Sequence, residues 1–361
     1  MAEIRGTTAE GFEEIREVFE RNFTEHGDVG AGFALYVDGE QVVDLTGGVS
    51  DSSGSPYDED TLQLVFSTTK GATAMCAHLI AERGELDLDA PVAQYWPEFG
   101  VDGKDTIPVS WLLCHRSGLV DTDAKLSFEE ALDWDKVCSE LARTKPAWEP
   151  GTQHGYHAVT YGWLVGEVVR RVSGVSIGEF FQREFAGPLG IDFWIGLPDE
   201  QQSRVAPLIP MGGGDHPPMM AAEEGDGSDD APKGLIEMLD SLFGPDNLIG
   251  RALAAPGGAL APEDVWNRPE LRAAQIPSAN GVTCSSPFSP TSRHRYTRRR
   301  SLEITRQPAN GSSTSRVPAS MASSPSRSVS PMPRTSGRNS RSNTSDPPTP
   351  SSPGTAFTRT E

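Results

Sequence analysis

Hydrophobic positions change their period several times along this chain. Over Thr8–Phe23, the residues Phe12, Ile15, Val18, Phe19 and Phe23 recur at helical spacing, which predicts that the chain opens with an amphipathic helix. Two short apolar runs rich in β-formers follow, Ala31–Tyr36 and Gln41–Leu45. Val37-Asp38-Gly39-Glu40 lies between them, and Asp-Gly is a strong hairpin turn. Two strands alone do not make a stable sheet, so partners have to come from further along the chain. The helical period returns after Ser67. Ala72, Met75, Cys76, Leu79 and Ile80 fall on one face, Arg83 lies in the last turn and Gly84 just past it.

Further on, Asp89 reads as the N-cap of a short helix with Pro91 close behind. Leu112–Gly118 reads as the end of another helix, stopped at Gly118. A longer helix is predicted over Val159–Val172, with Leu164, Val165, Val168 and Val169 apolar and a stop near Ser173-Gly174. Pro207–Gly234 is rich in Gly, Pro and acid, the composition of an exposed, mobile loop. Within and just after it, Asp226, Ser228, Asp230 and Glu237 loosely match a calcium loop. Ala231 stands where the sharp-turn glycine belongs, and the match is read as coincidence.

Charge changes the picture at the far end. The 361 residues carry a formal net charge of −20, but the distribution is uneven. From Cys284 to Glu361 there are 12 Arg, no Lys, 3 acidic residues, 20 Ser and 11 Pro, with scarcely any apolar periodicity. Such a segment cannot bury enough surface to offset its ordering entropy. The expected organisation is therefore a folded domain over 1–283 and a low-complexity, disordered tail over 284–361. The acidic body repels nucleic acid and anionic membrane. The start has no apolar signal region and no run of about 18 apolar residues follows, so a cytoplasmic protein is expected. Cys76, Cys114, Cys138 and Cys284 form no Cys-x-x-Cys pair and read as reduced thiols.

Chemistry concentrates at Phe66-Ser67-Thr68-Thr69-Lys70. On a helix, residues three apart are surface neighbours, so the Ser67 hydroxyl and the Lys70 amine can touch. Burial in so apolar a helix lowers a lysine's pKa and lets it take a proton from the serine. The helix N-terminus adds a field that favours negative charge near Ser67. Ser-x-x-Lys also arises by chance, and serine caps many helices, so context has to decide. Tyr156 falls on a turn-rich loop at the mouth of the Val159 helix. His115 reads as structural. His154 and His157 lack a Cys or carboxylate to complete a metal set, and neither a metal nor a cofactor is expected.

An ordered series of stretches carries a resemblance. Ser67-Thr68-Thr69-Lys70, Gly84-Glu85-Leu86-Asp87-Leu88-Asp89-Ala90-Pro91 and Leu112-Leu113-Cys114-His115-Arg116-Ser117-Gly118-Leu119 come first. Pro150-Gly151, Tyr156-His157-Ala158, Tyr161-Gly162-Trp163-Leu164 and Pro188-Leu189-Gly190-Ile191 follow. Together they resemble the serine β-lactamase and penicillin-binding-protein superfamily, especially its esterase branch related to class C β-lactamases, the family VIII carboxylesterases. The resemblance implies an α/β architecture, an antiparallel sheet flanked by helices plus a helical region. It also implies an acyl-enzyme on Ser67, deprotonation with help from Lys70, and Tyr156 as the proton relay. The substrate implied is a small-molecule ester.

Two departures qualify this. The family's Asn two residues after the tyrosine is Ala158 here, which argues against β-lactam hydrolysis and leaves β-lactamase or D-alanyl peptidase activity as the alternative. The family's third motif is Lys-Thr-Gly or His/Trp-x-Gly on a strand in the C-terminal part, and nothing resembling it is expected after Tyr156. Ser278-Ala279-Asn280-Gly281-Val282-Thr283 still reads like the family before the character changes. The tail is either natural or the product of a reading frame shifted near Thr283, which in GC-rich DNA yields much this mixture. On the second reading the late strands are missing and the chain is expected to be nearly inactive.

Overall fold

The chain begins with a strand, where helical periodicity over Thr8–Phe23 predicts a helix. In the computed structural model, which describes residues 2–209, 247–261 and 263–288, β1 spans Ile4–Thr8 and helix α1 runs only over Glu13–Glu25. The early residues are drawn into a sheet because β3 (Glu40–Gly48) offers them an edge. The order is β1-β3-β2, antiparallel throughout, with β2 at Gly30–Val37. Ile4 pairs with Gly47 and Gly30 with Gly48. The predicted hairpin forms around Asp38 and Gly39, both at positive φ, as a tight turn of this hand requires. The hairpin's partner in this sheet comes not from further along the chain, as expected, but from the residues before it, and β3 is paired on both sides.

A second antiparallel sheet has the order β4-β6-β5, with β4 at Gln63–Leu64, β5 at Ile191–Trp194 and β6 at Val282–Phe288. Distant residues meet here: Gln63 pairs with Thr283, more than 200 positions on, and Phe193 pairs with Thr283 from the other side. β6 crosses the point at which the composition changes. All described residues lie in the first of two units, residues 1–299. The Asp226, Ser228, Asp230 and Glu237 set, most of the Pro207–Gly234 loop, the tail beyond Phe288 and any late strands lie outside the described residues.

Between the sheets' contributions the chain is helical. Helices α2 (Thr69–Glu82), α3 (Val109–Leu113), α4 (Phe128–Leu132), α5 (Trp134–Arg143) and α6 (Thr160–Ser173) surround the main core. Cys76 and Ile80 of α2 pack with Leu164, Val165 and Val168 of α6 and with Trp96, Phe99, Ile107 and Leu112. Each fully buried side chain of this kind contributes roughly 1.5–3 kcal/mol. Met75, expected on the apolar face, is instead exposed, while Thr69 and Thr73 are buried. The buried face of α2 is set by its neighbours' polar groups as well as by apolar spacing. Thr73 donates to the Pro277 carbonyl at 2.6 Å.

Helix ends follow chain chemistry unevenly. Gly84 and Gly174 take left-handed conformations just after α2 and α6, as expected. The helix expected to reach Gly118 stops at Leu113, and His115 itself adopts φ +61°. Asp89 caps nothing. A 3-10 turn at Val92–Gln94 starts behind Pro91, and the Asp89 N–H is taken by the Asp87 carboxylate at 2.9 Å.

Candidate active site

The approach to Ser67 is held from below. The Val65 N–H donates to the Gly281 carbonyl at 2.9 Å, extending the β4–β6 ladder by one bond. The chain then turns sharply through Phe66, at φ +41°, into a 3-10 turn over Phe66–Thr68 that runs straight into α2. An aromatic residue in the left-handed region is strained by about 1–3 kcal/mol, a cost that the surrounding bonds must hold in place. The Thr69 hydroxyl does part of this, donating to the Phe66 carbonyl at 2.6 Å and accepting from the Gly281 N–H at 2.9 Å. A Cβ on Gly281 would lie 2.4 Å from that hydroxyl, so the contact needs glycine. The outcome is a serine in solvent above a lysine that is 8 % exposed.

Three predicted side chains converge. Lys70 Nζ donates to Ser67 Oγ at 3.2 Å, and the Tyr156 hydroxyl reaches the same oxygen at 2.6 Å. Lys70 Nζ also donates to the carbonyls of Ala158 at 2.6 Å and Ser278 at 3.0 Å, and stands 4.9 Å from the Tyr156 ring centroid. No carboxylate accompanies the lysine in these contacts. Burial lowers its pKa to about 8. Its three acceptors favour the ammonium while desolvation disfavours it, so both forms are accessible near neutral pH. The N-terminal end of α2 adds a favourable field for charge developing on Ser67.

Ser278 was not singled out as a site residue by sequence reasoning, although its stretch was recognised as family-like. Its carbonyl grips Lys70, and its hydroxyl donates to the Val159 carbonyl at 2.6 Å while accepting from the Gly162 N–H. Gly162 permits this approach, since a Cβ there would sit 2.6 Å from the Ser278 nitrogen. Asn280 fixes the same segment, accepting from the Ile276 N–H at 3.0 Å and donating to the Leu271 carbonyl at 2.9 Å. Nothing in a Pro-Ser-Ala-Asn-Gly string announces these roles, because they depend on a partner lysine 208 positions away. The Trp194-Ile195-Gly196 tripeptide has the spelling of the family's third motif, yet Trp194 packs beside Leu62, Val205 and Val282 and donates to Asp192. Its place is in the sheet's core.

The histidines gather beside Tyr156. His157 is fully buried, with Nε2 2.9 Å from the Ser117 hydroxyl and accepting from the Leu119 N–H at 3.1 Å, while Nδ1 donates to the Gly155 carbonyl at 2.6 Å. Both ring nitrogens are thereby engaged, and burial lowers its pKa to about 4. The His115 ring centroid lies 5.0 Å from that of Tyr156, 5.5 Å from His157 and 5.8 Å from the exposed His154. Among the described residues no group of three or more His, Cys, Asp or Glu could hold a metal ion.

Comparison with known proteins gives the chain a family. The chain is 38% identical over 183 residues to the esterase/β-lactamase LipL of Mycobacterium tuberculosis, covering 50% of this chain and 42% of LipL. Among solved structures, a penicillin-binding-protein homologue from Caulobacter crescentus matches at 36% identity with a TM-score of 0.64, covering 78% of this chain and 68% of that one. A family VIII carboxylesterase matches at 36% identity with a TM-score of 0.63 over the same shares. The chain spans about half the length of the curated relatives it matches. The family model described as Beta-lactamase matches residues 16–284, the stretch that carries β2 to β5, the start of β6 and all three converging side chains. This chain belongs to the β-lactamase family.

Proposed function

We propose that this protein is a serine hydrolase that cleaves small-molecule carboxylic esters through an acyl-enzyme on Ser67. The observation that carries the reading is the double contact on Ser67 Oγ, from Lys70 at 3.2 Å and Tyr156 at 2.6 Å. Ser67 attacks the ester carbonyl carbon as its proton passes to the Lys70–Tyr156 pair. The tetrahedral intermediate collapses, the carbon–oxygen bond to the alcohol breaks, and Tyr156 protonates the departing alkoxide. Water then attacks the acyl-enzyme with the same groups acting in reverse. The Ser67 backbone N–H, at the start of the helix, is one donor for the oxyanion.

Position 158 favours an ester over a lactam. Its carbonyl holds Lys70, and its side chain is a methyl, with no amide to bind a lactam's acylamino group. The hydrolase domain is assigned to 1–283 and the low-complexity segment to 284–361. The four cysteines are free thiols, which is compatible with the reducing, cytoplasmic setting expected from the sequence. Among the described residues no helix is long and apolar enough to cross a membrane.

Parallel assays with p-nitrophenyl butyrate and nitrocefin test the assignment. Turnover of the butyrate ester that is lost in Ser67→Ala supports it, as does a fluorophosphonate label on the Ser67 peptide. Labelling that survives Ser67→Ala overturns the nucleophile, and nitrocefin turnover exceeding ester turnover replaces the substrate class with a lactam.

A further inference from the structure

Tyr156 is 45 % exposed, on a loop before α6 that is rich in turn-forming residues. A relay tyrosine in such a place needs something to fix it, because its hydroxyl must stay on Ser67 Oγ at 2.6 Å. The residues immediately before and after it are both bonded to one partner. The Gly155 N–H donates to the His115 carbonyl at 3.1 Å, and the His157 N–H donates to His115 Nδ1 at 3.2 Å. The His115 ring also lies against the Tyr156 ring, with Tyr161 5.1 Å away on another side.

His115 is itself held in an unusual conformation. It takes φ +61° just after α3 ends, a region uncommon for non-glycine residues although His, like Asn and Asp, enters it more often than most. A left-handed residue there lets the carbonyl and the ring of one residue both reach the Tyr156 strand of the loop. We propose that His115 is a positioning residue that clamps the backbone on both sides of Tyr156 and so keeps the tyrosine hydroxyl on Ser67. This rests on the reading of Tyr156 and Ser67 given above.

The clamp requires His115 Nδ1 to keep its lone pair. Burial, with further contributions from the neighbouring Lys70 and His154, lowers the His115 pKa to about 4. The ring therefore stays neutral and accepting across the range in which esters are assayed, with no second positive charge beside Lys70. His157 is neutral for the same main reason, burial.

The test uses the full 361-residue chain carrying His115→Phe or His115→Asn, each in the parent and in a Tyr156→Phe background. Phenylalanine keeps a ring but no acceptor. Asparagine replaces Nδ1 by an amide oxygen and tolerates positive φ. With p-nitrophenyl butyrate, His115→Phe is expected to lower kcat by about 10–10² with KM nearly unchanged, the scale of a catalytic group displaced by roughly an ångström. His115→Asn is expected to recover most of that loss. In the Tyr156→Phe background, His115→Phe is expected to cost less than about twofold, since residues acting through one another are not additive.

An unchanged kcat in His115→Phe, equal losses in the Phe and Asn variants, or full additivity with Tyr156→Phe overturns the proposal. If His115→Phe does not fold, His115→Ala removes the acceptor without adding bulk and is judged by the same outcomes. A crystal structure of the acceptor-less variant supplies a readout independent of turnover. Tyr156 Oη displaced from Ser67 Oγ supports the clamp, and Oη still within hydrogen-bond distance overturns it. A parent chain inert towards esters counts against the proposed function alone, because the crystallographic comparison still decides the clamp.

Discussion

The helical region and the N-terminal sheet of this protein bury their residues very differently. Around α2 and α6, Cys76, Ile80, Leu112, Leu164, Val165 and Val168 are all 0% exposed and form one continuous core. In the β1-β3-β2 sheet and α1, the buried hydrophobic side chains are only Phe19, Val43 and Leu45, while Val18, Phe33 and Val37 remain about two-fifths exposed. The proposed catalytic geometry belongs entirely to the first region. Ser67 lies in the turn that leads into α2 and Lys70 in its first turn, Tyr156 precedes α6, and the Ser278 carbonyl holds Lys70. A site that must hold a strained Phe66 and a buried lysine is built against the main core. The sheet supplies none of the three converging side chains.

Variants can break or sharpen this contrast. The largest effect is expected from Tyr156→Phe, which keeps the ring's packing but removes the proton. Steady-state ester turnover should fall by roughly 10²–10⁴, the usual contribution of general acid–base catalysis. A near-normal rate would leave the tyrosine a structural role only.

Leu164→Ala comes next. The side chain is fully buried between α6 and its neighbours, so denaturant unfolding should show a loss of about 2–5 kcal/mol. Phe33→Ala in β2, 39% exposed, is expected to cost only about 0.5 kcal/mol or less. Equal losses for the two would remove the distinction between the regions.

Titration gives an effect confined to the site. Burial lowers Lys70 from 10.5 to about 8. Between these values the unfolded chain holds the proton and the folded chain does not. Stability measured against Lys70→Met should therefore rise as pH climbs from about 8 towards 10.5. The buried His157 behaves in the same sense at lower pH. Its pKa falls from 6.5 to about 4, so stability against His157→Asn should decline as pH drops through that window. A flat difference between variant and parent in either range would show that the group is solvated in the folded state.

Much of the chain's local structure was legible in its residues. Asp38-Gly39 made the hairpin, Gly84 and Gly174 ended α2 and α6, and Ser67, Lys70 and Tyr156, the candidate site, do converge, because each of these signals acts within a few residues or through a recognisable motif. Where a long-range partner decided the outcome, the local signal was overruled. Ile4–Thr8 had weak preference of its own and became a strand because β3 offered an edge. Met75 had the spacing of a core residue and lost the place to threonines bonded to a distant segment.

The sequence by itself determined the chemistry available: a serine, a lysine one turn away and a tyrosine at a helix mouth, within an ordered family pattern. Only the tertiary structure decided which groups those side chains meet. Lys70 draws its position from carbonyls 88 and 208 residues away, and Tyr156 draws its position from a histidine about 40 residues earlier that looked merely structural. Hydrogen bonds to backbone carbonyls and N–H groups carry no residue-type signal, since every residue offers them. Their partners are settled only when the chain is packed.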